Sequence, residues 1–93
     1  MLPNAEAAVL RVIADSEIYG LDLVRKSNGA VKMGSVYVLL GRLEDKGLVQ
    51  SRRVDSPVSS SPRRLYRATE RGLAVNRAMQ ELRVLLDTPA DQP

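Results

Sequence analysis

Between Ser35 and Lys46 the chain places Val36, Leu39, Leu40 and Leu43 at positions i, i+3, i+4 and i+7, and the pattern stops at Gly47. That spacing sets four aliphatic side chains on one face of a helix and leaves the opposite face without apolar cover. Gly47 suits the left-handed residue that closes many helices, and Lys46 just before it supplies a cation where the helix dipole favours one. Two short runs, Leu48 to Val54 and Arg63 to Ala68, then flank Asp55 to Pro62, a stretch rich in Ser and Pro. They predict a β-hairpin with a long tip, and a tip whose only apolar residue is Val58 is expected to be mobile until something binds it. The chain must therefore fold as a half-buried helix joined directly to a hairpin.

Three further helices complete the pattern. Asn4 to Asp15 follows Pro3, has Asn4 as a candidate N-cap, and is rich in alanine. Its wheel sets Ala7, Leu10, Ile13 and Ala14 on one face and Ala8, Val9 and Val12 on much of the other, with only Glu6, Arg11 and Asp15 interrupting. A helix apolar nearly all round needs cover on two sides, and a small domain provides one. Val9 and Val12 are therefore expected to meet a partner chain, unless small residues are simply tolerated on an exposed face. A brief second helix, about Leu21 to Ser27, is opened by Tyr19-Gly20 and closed by Asn28-Gly29.

Thr69 is a good N-cap for a last helix carrying the stripe Val75, Ala78, Met79, Leu82 and Leu86 as far as Asp87. At about 1.5 Å per residue this helix would overhang so small a domain. Dimerisation of its stripe against the first helix of a second copy is the expectation, with packing on its own domain the alternative. The fold class that follows is α+β, mostly α: a winged helix-turn-helix over residues 1–68 with an added C-terminal dimerisation helix over 69–87 packed on it. Residues 88–93, with two prolines, are expected to be a disordered tail.

Composition narrows the function. The chain has no Cys, His, Trp or Phe, which removes disulfides, thiol chemistry, the usual zinc ligands and the commonest general acid–base group. No cofactor is expected, and no enzyme. No apolar run is long enough to span a membrane and no secretory signal opens the chain, so a cytoplasmic protein is expected. The net charge of +3 is small, but the excess lies between residues 48 and 72, on the hairpin. Arg52, Arg53, Arg63 and Arg64 flank the hairpin tip, and Arg67 follows. Folding brings these charges together, as contact with a phosphate backbone requires.

In a winged helix-turn-helix the third helix enters the major groove and the hairpin lies along the adjacent backbone. With its leucines turned inward, the 35–46 helix presents Ser35, Tyr37, Val38, Gly41 and Arg42, preceded by Lys32. Ser35 and the first-turn N–H groups can meet a phosphate. Tyr37 can reach a phosphate or sugar, Val38 a thymine methyl, and Arg42 a phosphate or a guanine edge. Arg52, Arg53, Arg63 and Arg64, with Ser60 and Ser61 at the tip, are the expected wing contacts. By spacing alone the helix is merely amphipathic; the arginine-bearing hairpin makes it a candidate recognition helix for double-stranded DNA.

Taken together, Tyr19-Gly20, the run from Gly34 to Val49, and the run from Pro62 to Gly72 resemble the PadR family of transcriptional regulators. Tyr19, Ser35, Tyr37, Leu43, Glu44, Gly47, Tyr66, Thr69 and Gly72 match the family pattern. The resemblance implies a homodimeric repressor whose C-terminal helix reaches across to the partner's N-terminal helix. Val38 stands where the family usually has proline, Gly41 where a polar residue is common, and Ser60-Ser61 where the wing often has Gly-Arg. Base preference therefore does not follow from the resemblance, and without Trp no effector pocket built on stacked indoles is expected.

The function expected is a sequence-specific regulator, a repressor binding a palindromic operator as a homodimer. The alternative is an architectural or partition adaptor that keeps the fold, spreads along DNA and bridges to a protein partner. A winged helix used only for protein contact is a third reading.

Overall fold

The computed structural model describes residues 2–55 and 63–89. In chain order it contains α1 (Asn4–Asp15), β1 (Ile18–Tyr19), α2 (Gly20–Lys26), α3 (Val36–Asp45), β2 (Val49–Val54), β3 (Arg63–Ala68) and α4 (Glu70–Asp87). The expected order of three helices, a hairpin and a last helix is present. The structure adds β1, which pairs antiparallel with β3 through Ile18 opposite Tyr66 and Tyr19 opposite Leu65, giving a three-stranded sheet ordered β1-β3-β2. The expected mobile tip of the hairpin, with Ser60 and Ser61, lies outside the described residues. So does the expected tail beyond Pro89.

Helix α3 buries Val36, Leu39, Leu40 and Leu43 as the spacing demands. Its end is a Schellman motif: the Gly47 N–H donates to the Glu44 carbonyl at 2.9 Å and the Leu48 N–H to the Leu43 carbonyl at 3.0 Å. Gly47 has φ of 73°, which a side chain would resist. The chain reverses there, so Leu48 and Val49 enter the core and β2 starts beneath the helix it has just left.

Helix α1 corrects one expectation. Its buried positions are Glu6, Val9, Leu10 and Ile13, while Ala7 and Ala14 are only half-buried. Val9, expected at a dimer contact, is 0% exposed and belongs to the core of its own protomer. Helix α1 is flanked by α3, α4, β3 and α2, so the same chain covers more than one face of it, and the larger aliphatic side chains take the inner places. Val12 stays half-buried at the edge of that core.

Glu6, at 2% exposed, lies in the same interior stripe. A buried carboxylate needs a paired charge, and Lys46 Nζ donates to Glu6 Oε1 at 2.5 Å. The pair ties the first turn of α1 to the C-cap of α3.

The N-terminus of α4 is fixed by Thr69. Its Oγ1 accepts from the Gly72 N–H at 3.0 Å and donates to the Gly47 carbonyl at 2.7 Å. Its own N–H donates to the Leu48 carbonyl at 3.0 Å. Gly72 then lies so close that a Cβ there would sit 1.9 Å from the Leu48 carbonyl oxygen. Farther along, Val75 packs on the core and Met79 and Leu82 are half-buried, whereas Ala78, Val84, Leu85 and Leu86 are exposed.

Candidate nucleic-acid interface

The outward face of α3 carries the residues expected there. Tyr37 and Val38 are 54% and 55% exposed, and Ser35, Arg42 and Lys32 are exposed as well. Ser35 occupies the N-cap position, and among the described residues its side chain makes no capping bond. The Lys32 carbonyl accepts from the N–H groups of both Ser35 and Val36, at 3.0 and 3.1 Å, and this fixes the turn into α3. At Gly41 an added Cβ would meet nothing within 4 Å, which leaves the middle of the outer face bare.

Tyr37 also has a structural anchor. Its ring lies across Gly20, where a Cβ would come within 2.8 Å of Cε1 and 3.0 Å of the hydroxyl oxygen. Gly20 therefore lets the first turn of α2 and the first turn of α3 meet through a tyrosine face. This contact joins the two helices at their first turns and turns the phenolic oxygen toward α2.

On the wing, β2 and β3 pair in register from Val49 opposite Ala68 to Val54 opposite Arg63. Adjacent strand residues point to opposite faces, so each arginine doublet is split. Arg53 and Arg64 share the face of Ser51 and Tyr66; Arg52, Arg63 and Arg67 lie on the other. The arginines are thus gathered onto one hairpin, as expected, but arrayed on both of its faces.

Side-chain partners hold them. Arg64 donates from Nε and Nη2 to Ser51 Oγ at 3.1 and 3.0 Å, and Ser51 Oγ donates to the Glu44 carboxylate at 3.3 Å. That chain links the wing to the last turn of α3. Burial, followed by the nearby Glu44 carboxylate, raises the pKa of the Tyr66 phenol above its ordinary value of 10.0, while Arg64 pulls the other way. On the opposite face the Arg63 guanidinium stacks 4.5 Å from the centre of the Tyr19 ring, and Arg52 lies 3.6 Å from Glu17. Arg53 pairs with Asp55 at 3.2 Å. These contacts are solvent-exposed and worth little each, so they orient the arginines without withholding them from a stronger anion.

Glu17, Tyr19, Ser51 and Glu44 are partners that sequence reasoning had not assigned. The period of two in a strand would have revealed the splitting of the doublets. The pairing of β1 with β3, which brings Glu17 and Tyr19 alongside, has no comparable local signal.

The model of the PadR-like family of transcriptional regulators matches residues 9–78. The chain belongs to this PadR-like family. Among solved structures, a PadR-like transcription factor from Bacteroides fragilis is 25% identical over 88% of this chain and 82% of its own, with a TM-score of 0.79. A PadR family regulator from Eggerthella lenta is 32% identical over 85% of this chain and 74% of its own, with a TM-score of 0.71. Bacillus subtilis PadR in complex with operator DNA shares the fold at 21% identity, with a TM-score of 0.65 over 95% of this chain and 49% of that one. No curated protein sequence matches the chain.

Membership in the PadR-like family makes the chain a winged-helix transcriptional regulator and not an enzyme. No helix among the described residues is long and apolar enough to cross a membrane.

Proposed function

We propose that the chain is a sequence-specific DNA-binding repressor that acts as a homodimer on a palindromic operator. The observation that carries this reading is the joining of an exposed α3 face to an arginine-bearing wing through Arg64, Ser51 and Glu44, within a family of transcriptional regulators. The solved complex of Bacillus subtilis PadR with operator DNA supports it by analogy of fold. In this reading Ser35, Tyr37, Val38 and Arg42 face the groove, Lys32 meets the backbone, and Arg52, Arg53, Arg63 and Arg64 supply the wing contacts, with Ser60 and Ser61 beyond them. Action on DNA agrees with the cytoplasmic location expected from the sequence.

The dimer rests on α4. Its 18 residues extend about 27 Å, and its last two turns expose Val84, Leu85 and Leu86, the last at 74%. Three adjacent large aliphatic residues at one end of a small domain call for cover. Val12, Val75, Ala78, Met79, Leu82 and Leu86 are the proposed contacts, with Val9 removed from the set. Two copies would set their α3 helices about 34 Å apart, one turn of DNA.

The test is gel-shift titration against genomic fragments at several salt concentrations, with light scattering for the mass. Uniform affinity for all fragments would refute the operator, and a monomer at micromolar concentration would refute the dimer. Transcription from a promoter carrying the bound site should fall when the protein is added; a rise would refute repression. Binding that spreads cooperatively along long duplexes without a preferred site would favour an adaptor.

A further inference from the structure

The outer face of α3 is poor in groups that read bases by hydrogen bonding. It holds no Asn or Gln, and its one arginine, Arg42, is in the last turn, whereas the first residues of a recognition helix approach base edges most closely. Of the outward residues in the first half, Ser35 stands at the helix start, where a phosphate is the natural partner. Tyr37 has its hydroxyl end over Gly20 at the start of α2, the helix that crosses the backbone in a helix-turn-helix. Val38 is left as the central side chain, more than half exposed, and one turn on Gly41 offers open space.

Resting on the DNA-binding reading above, we propose that α3 reads its site by apolar contact: Val38 packs against the C5-methyl group of a thymine, and Gly41 lets the helix backbone come close to the base edges. The thymine methyl is the only apolar group on the major-groove edge of any base pair. Valine has no donor or acceptor and would gain nothing from the polar edges of the other bases. A side chain at Gly41 would hold the helix away from the groove floor. Lys32, Arg42 and the wing arginines supply the affinity, and Val38 supplies the choice among sequences.

The closing experiment uses the full chain and duplexes it recovers from a random-sequence pool. Affinities are measured for the recovered duplex and for the same duplex with deoxyuridine in place of thymine, which removes the methyl group and keeps base pairing. Loss of one buried methyl contact should weaken binding about fourfold, and two half-sites about fifteenfold. Val38→Ala should bind the thymine duplex about as weakly as the unmodified protein binds the deoxyuridine duplex, and should lose little more on the switch. Gly41→Leu should weaken both without lowering the melting temperature.

Equal affinity of the unmodified protein for both duplexes, or a Val38→Ala variant that keeps the full thymine preference, would overturn the proposal. Recovery of no common sequence, with all duplexes bound alike, would overturn base readout while leaving DNA binding standing. No duplex binding even at low salt would overturn the DNA-binding reading itself, and the apolar face would then suit a protein.

Discussion

Replacing Gly72 by alanine sets a methyl carbon where the Leu48 carbonyl oxygen already lies, at 1.9 Å. An ordinary carbon–oxygen contact is about 3.3 Å, so one of the two backbones must retreat by more than an ångström. Neither is free to do so. The Leu48 carbonyl sits at the closed end of α3 and accepts from the Thr69 N–H at 3.0 Å, while Thr69 Oγ1 holds the Gly47 carbonyl at 2.7 Å. A retreat on that scale breaks both bonds, at about 1 kcal/mol each, and overpacking adds about 1–3 kcal/mol. The helix propensity gained by alanine returns at most about 1 kcal/mol.

The net loss is about 2–4 kcal/mol, a large fraction of the stability of a domain this size, and it should lower the melting temperature by roughly 10–25 °C. Circular-dichroism melts and urea titrations at one fixed protein concentration measure it. Gly41→Ala is the matched control: it too is a helical glycine, but its Cβ would enter open space, so it should stabilise by about 0.5–1 kcal/mol. A Gly72→Ala protein within about 0.5 kcal/mol of the parent, against the error of such measurements, would refute the claim that α4 is seated on the Leu48 carbonyl.

Lys46→Met leaves the buried Glu6 carboxylate without its cation and should cost about 2 kcal/mol, below the usual range for a buried pair because Lys46 is partly exposed; adding Glu6→Gln should recover part of it, and a double-mutant cycle with no coupling would refute the pair. Gly20→Ala should push the Tyr37 ring from its seat and weaken DNA binding by about fivefold, roughly 1 kcal/mol of contact, with little change in melting temperature because only a side chain must move; unchanged affinity by fluorescence anisotropy would refute the anchor. Tyr66 has its pKa raised above 10.0 by burial and by Glu44, so the folded state favours the neutral phenol. The stabilisation is complete below pH 10 and is lost as pH rises through the unfolded and then the folded pKa. Urea titrations should show a steeper alkaline loss for the parent than for Tyr66→Phe, and equal slopes would refute the assignment.

The features legible in the sequence were those written in near neighbours. The α3 stripe, its Gly47 ending, the Thr69 cap and the turn at Asn28-Gly29, whose φ values are 53° and 87°, each depend on residues within a turn of one another. Local chemistry decides them before any tertiary contact forms. Helix α1 shows where that stops. Its alanines let two rotations satisfy the same wheel, and only the neighbours α3, α4 and β3 select the one that buries Val9 with Glu6. The cation for Glu6 comes from the far end of α3, and no spacing rule links residues so distant. Strand β1 has two residues and cannot show an alternation at all.

The candidate interface divides in the same way. Which residues of α3 face outward followed from its period, but what each can reach depends on contacts the wheel does not contain. Gly20 and Tyr37 both stood out as pieces of one family pattern, and the structure shows that they are one contact. The glycine is the floor on which the tyrosine lies. Seating that ring turns the most polar group of the first turn toward α2 and leaves Val38 beside the bare surface of Gly41. The apolar character of the first half of α3's outer face is thus a consequence of packing between two helices, and it would change if Gly20 acquired a side chain, even with every residue of α3 intact.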